Sequence, residues 1–117
     1  MIHNKNNELA ECRNRANIRV QDLAFVLNLS PVTLVQMESG KQTPSPSVIA
    51  TYHVLFGTPM EEPDADLCAE MHCFLYERST KLIEELERSQ SPKSNQRVQA
   101  FSRIVKLLTT DQYYEHN

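Results

Sequence analysis

Val20 to Gly40, VQDLAFVLNLSPVTLVQMESG, constrains the fold more than any other stretch of this chain. Leu23, Ala24 and Leu27 recur at helical spacing and give the first part of it one apolar face. Asn28-Leu29-Ser30 interrupts that pattern. Ser30 before Pro31 is a helix-start signal. The serine oxygen can cap free N–H groups, and proline fits the first helical position because its missing N–H had no partner there. From Pro31 a second helix is expected to run to about Glu38, with Leu34 and Met37 turned inward. Gly40 closes it as a C-terminal cap. Three residues between two short helices set the second at a steep angle to the first and leave its outer face free.

That is the geometry of a helix-turn-helix, whose second helix can lie in a DNA major groove. Around it the chain carries linked motifs: Leu9 to Arg13, Leu23-Ala24, Asn28-Leu29-Ser30 and Met37-Glu38-Ser39-Gly40-Lys41. Thr43-Pro44-Ser45 and an apolar run through Leu55-Phe56-Gly57 follow. Together they resemble the lambda repressor/Cro (XRE) type of helix-turn-helix transcriptional regulator, over roughly Glu8 to Met60. The resemblance implies a sequence-specific DNA-binding protein, most simply a repressor. It also implies a structural ion pair between Arg13 and Glu38, joining the first helix to the reading helix. The pattern departs from the family at Val20, where a glutamine is usual, and at Pro31-Val32, which replace more polar residues.

At 117 residues, one compact domain or a small domain with an appendage is the natural organisation. The net charge of −3 is unusual for a DNA-binding protein, but it is unevenly spread. Residues 1–60 sum to +1 and residues 61–117 to −4, so the acidity lies outside the reading head. This argues against an indiscriminate polyanion binder and leaves specific DNA binding open. The N-terminal IHNKNN is polar, and no apolar run approaches the roughly 20 residues needed to cross a bilayer. Three cysteines without framework spacing suit free thiols, so a soluble cytoplasmic protein is expected, with no membrane partner.

In chain order, residues 8–16 form a first helix with Leu9, Cys12 and Ala16 inward. Ser45 or Ser47 caps a fourth, running to about Phe56, with Val48, Ile49, Tyr52, Leu55 and Phe56 as its inner face. Thr58-Pro59-Met60-Glu61 repeats the start signal and predicts a short fifth helix ending at Pro63. From Asp64, the positions Leu67, Met71, Leu75, Leu82 and Leu86 predict a long amphipathic helix to about Ser89, its stripe including Arg78 and widened by Phe74 and Ile83. After a turn at Ser89 to Ser94, the positions Val98, Phe101, Val105 and Leu108 predict another helix. The expected fold is thus all-α: a five-helix lambda-repressor-like helix-turn-helix domain over residues 1–62, then a C-terminal helical hairpin over 63–117. Such a hairpin has an apolar side that must pack on the first domain or on a second copy. Homodimerisation through Leu82, Leu86, Phe101, Val105 and Leu108 is the preferred expectation, with residues 1–60 able to fold alone.

Base reading is expected from the exposed face of the reading helix: Pro31, Val32, Thr33, Gln36 and Ser39. Gln36 suits adenine, Thr33 can donate or accept, and Val32 can touch a thymine methyl. Phosphate contacts are expected from Arg19 and Gln21 before it, and from Lys41, Gln42 and Thr43 after it. Cys68 and His72 lie one helical turn apart, with Cys73 about 100° away from His72; buried thiols and a hydrogen-bonded histidine are the preferred reading over a metal site. No metal or other cofactor is expected. No serine–histidine–acid set, paired carboxylates or glycine-rich phosphate loop has supporting context, so no enzyme is expected. Two other readings fit the same residues. One is a protein-interaction module, such as an antitoxin whose acidic C-terminal half holds a basic toxin. The other is a helix-turn-helix that has lost DNA binding.

Overall fold

The computed structural model describes residues 5–60 and 64–109 and is all-helical among them. Six helices follow in order: α1 (Lys5–Arg15), α2 (Val20–Leu27), α3 (Pro31–Ser39), α4 (Pro46–Phe56), α5 (Ala65–Ser89) and α6 (Ser94–Leu108).

Local chemistry sets most of the boundaries. At Asn28 the chain turns left-handed (φ 60°), and the Leu29 N–H returns to the Ala24 carbonyl at 2.8 Å, a Schellman ending for α2. Two residues on, the Ser30 hydroxyl accepts from the Thr33 N–H at 3.1 Å and Pro31 takes the first position of α3. The same device recurs at α4, where Ser45, and not Ser47, accepts from the Val48 N–H at 3.3 Å ahead of Pro46. Asp64 caps α5 through the Leu67 N–H at 3.0 Å. Gly40 (φ 87°) and Gly57 (φ 75°) end α3 and α4 in the left-handed region that glycine adopts without a Cβ penalty.

No fifth helix begins at Thr58. Residues 57–60 are non-helical, and the remainder of that expected helix, Glu61 to Pro63, lies outside the described residues. The Thr58 carbonyl, which an N-cap would commit to its own helix, instead accepts from His53 Nδ1 at 2.7 Å. Thr58 is thereby tied back to α4. Met60 then turns toward α5, its sulfur 3.9 Å from that of Cys68.

The C-terminal hairpin packs on the helix-turn-helix and shares one core with it. α5 lies against α6, α4 and α2, and the buried apolar residues form a single cluster from Ile18 to Leu108. The residues expected at a dimer interface belong to this cluster or to its margin. Leu82, Leu86, Phe101 and Leu108 are buried within the chain itself, and Val105 is half-buried. Their apolar surface is already removed from water, which leaves little to gain by pairing with a second copy. The inner stripe of α6 is also turned from the expected one: Ala100, Phe101, Ile104 and Leu108 are buried, while Val98 and Val105 lie at its margin.

Two arginines fasten this hairpin to α2. Arg78 of α5 donates to the Phe25 carbonyl at 2.6 Å and stacks over the Phe25 ring, 4.5 Å from its centroid. Arg97 of α6 grips Asp22 with two parallel hydrogen bonds of 2.9 and 2.6 Å. Asp22 is 4% exposed and Arg97 26%. Arg97→Ala strands a buried carboxylate, and since the pair is open on one side we expect a loss of about 2 kcal/mol, below the range for a fully buried pair. Urea denaturation monitored by circular dichroism measures it.

Candidate nucleic-acid interface

α3 has two faces with different work. Leu34, Met37 and Glu38 face inward and are buried. Glu38, the only charged residue of α3, accepts three hydrogen bonds from two residues. Arg13 of α1 donates from Nε to Oε2 at 2.8 Å and from Nη2 to Oε1 at 2.9 Å. Tyr52 of α4 donates its hydroxyl to Oε2 at 2.5 Å. The same arginine spans to the Ile18 carbonyl at 2.9 Å, bracing the approach to α2. The contact with Glu38 raises the Arg13 pKa despite its burial. Burial first, and then the Glu38 carboxylate, hold the Tyr52 hydroxyl protonated far above the ordinary tyrosine range. Arg13 and Glu38, expected from family resemblance to meet, do so, and the structure adds Tyr52 as a third member. The reading helix is thus pinned to α1 and α4 by one polar knot.

On the outer face, Val32 (66% exposed) and Val35 (47%) stand free, together with Pro31, Gln36 and Ser39. Residues 32, 35, 36 and 39 follow at helical spacing and form one stripe. Two expected contacts are partly engaged elsewhere. Thr33 is half-buried and accepts from the Ser30 hydroxyl at 2.9 Å. Ser39 donates back to the Gln36 carbonyl at 3.3 Å. Val35 was missed in the sequence reading, although Leu34, Met37 and Glu38 inward require it outward on a helix.

The flanks carry the candidate phosphate contacts. Arg19 and Gln21 are exposed around the start of α2, where Arg19 makes no side-chain cap. Beyond α3, Lys41, Gln42 and Thr43 are exposed, and the Gln42 N–H bonds the Gln36 carbonyl at 3.1 Å, holding the loop close to the helix end. In sequence, Arg19 and Lys41 lie to either side of α3, and α3 itself carries no cation. Exposed polar and cationic side chains around a helix-turn-helix suit contacts to a phosphate backbone.

Cys68, His72 and Cys73 do not converge. His72 is buried against α6, near the Leu108 backbone, and burial lowers its pKa. Cys68 is half-buried, its thiol pushed up by burial, and Cys73 is exposed. Among the described residues no three His, Cys, Asp or Glu side chains gather closely enough to hold a metal ion. Also among them, no helix is long and apolar enough to cross a membrane.

A short helix capped by Ser30 and Pro31, pinned from behind and bare in front, defines a helix-turn-helix. The model of the helix-turn-helix family matches residues 9–62, and over that stretch the chain is similar to the XRE-type, lambda repressor/Cro-like DNA-binding regulators. No curated protein and no solved structure matches the chain.

Proposed function

We propose that this protein is a sequence-specific transcriptional regulator that reads an operator in the major groove with α3. It acts in the cytoplasm as a homodimeric repressor that blocks a promoter by occupying it. The observation that carries this reading is the division of labour on α3. Its single charge is consumed by the Arg13–Tyr52 knot, while Val32, Val35 and Gln36 project with no part in holding the fold. Side chains exposed on a rigid helix, with Arg19 and Lys41 to either side, form a reading surface between two phosphate grips. A helix of nine residues reads only a few base pairs, so a second copy on a two-fold site supplies the affinity that one lacks. The inner faces of α5 and α6 are used within the chain, so in this reading the two-fold contact uses another surface.

Selection of bound sequences from a pool of random duplexes tests the reading, with sedimentation of the complex giving the number of copies. A single enriched motif with two-fold symmetry is the expected result; uniform recovery of the pool would overturn it. Two substitutions then separate reading from gripping. Gln36→Ala should lose about 1–3 kcal/mol of discrimination at one or two base pairs without altering the thermal transition. Lys41→Ala should weaken binding to all duplexes alike and reduce the slope of log K against log salt by about 1. Fluorescence anisotropy titrations over a salt series check both.

A further inference from the structure

Resting on the reading that α3 enters the major groove, we infer that this helix selects A·T base pairs through thymine methyl groups, with Val35 as a specificity-determining residue beside Val32. Each base pair offers the major groove a distinct set of partners. Guanine calls for a cation that bridges O6 and N7, and cytosine for a carboxylate that accepts from N4. The outer face of α3 has neither. Its sequence, PVTLVQMES, contains no lysine or arginine, and its one carboxylate, Glu38, is 5% exposed and engaged by Arg13 and Tyr52.

What remains on that face matches the other base pair. Val32 and Val35, one turn apart, present branched methyl groups of the kind that pack against the thymine C5-methyl. Gln36 adjoins them and can donate to adenine N7 while accepting from N6. Two exposed valines on one turn contribute nothing to the core, and contact with a base methyl is the groove chemistry open to them. Arg19 and Lys41 lie off α3, and the reading above gives them phosphates, which carry no base preference. The operator class is therefore an A·T-rich half-site read by apolar contact and one amide.

Replacement of thymine by deoxyuridine removes the methyl and leaves the pairing edge intact. On the duplex enriched from a random pool, uracil at each contacted thymine should weaken binding about fourfold, the size of one buried methyl-sized group. Val35→Ala should abolish that penalty at one thymine and Val32→Ala at another, with the thermal transition of the protein unchanged. Equal binding of thymine and uracil duplexes, or an enriched motif built of G·C pairs, would overturn the inference while leaving DNA binding in place. A pool with no enriched motif would overturn both.

Discussion

Glu38→Ala is expected to lower stability by about 3–5 kcal/mol, a large part of the 5–15 kcal/mol that holds a domain of ordinary stability. The substitution strands Arg13, 11% exposed, without its carboxylate, and leaves the Tyr52 hydroxyl, at a residue with no exposure, without its acceptor. Removing one member of a buried pair costs more than the pair contributes, because the survivor stays desolvated. Glu38→Gln keeps an acceptor for one partner and should fall between the two. Arg13→Ala in the Glu38→Ala background should then cost far less than it does alone, since the orphaned charge has gone. Urea denaturation of the four proteins gives the cycle. Additive losses would show that the two side chains do not act as a pair. The effect reaches the site as well: without the knot, α3 loses its anchorage to α1 and α4, and DNA affinity should fall further than the stability loss alone explains.

Truncation after Met60 should abolish cooperative folding. The sequence taken alone favours an independent helix-turn-helix over these residues. The structure instead lays α5 against both α2 and α4, so the truncation uncovers their inner faces to water. It also removes the Arg78 contact with Phe25 and the Arg97 grip on Asp22. A 60-residue piece buries only about 60% of the surface its unfolded chain exposes and has little margin to lose. Helicity should therefore decline gradually on heating, without a sigmoidal transition. A sharp transition near that of the full chain, followed by circular dichroism, would show that the hairpin is an appendage.

The capped helix starts were legible because they are local. Ser30-Pro31 acts within three residues and Gly40 ends α3 by its own backbone freedom, while the choice of Ser45 over Ser47, the Asp64 cap and the Gly57 ending came from the structure. Thr58-Pro59 carries the same signal, yet residues 57–60 are non-helical and the Thr58 carbonyl accepts from His53. The links across the fold were hidden for a different reason. Asp22 and Arg97 are 75 residues apart, and Arg78 and Phe25 53; neither pair has a local pattern that marks it. An apolar stripe likewise states that a face is buried without stating by what, and so Leu82, Leu86, Phe101 and Leu108 read equally as core or as dimer interface. On α6 the stripes through Val98 and Val105 and through Ala100 and Ile104 share Phe101 and Leu108. Only the packing on α5 chooses between them. At the site, Gln36 and Val32 could be placed outward from sequence. Val35 follows from the same spacing, since Leu34 and Met37 turned inward already place it outward.

The central claim is that α3 and its two flanks are the surface that meets DNA. Amide chemical-shift mapping of the isotope-labelled full chain, titrated with its enriched duplex, tests it most directly. The largest changes are expected on Arg19 to Gln21 and on Val32 to Thr43, with the far face of α5 and α6 unmoved. Changes concentrated on α5 and α6, with α3 silent, would contradict it.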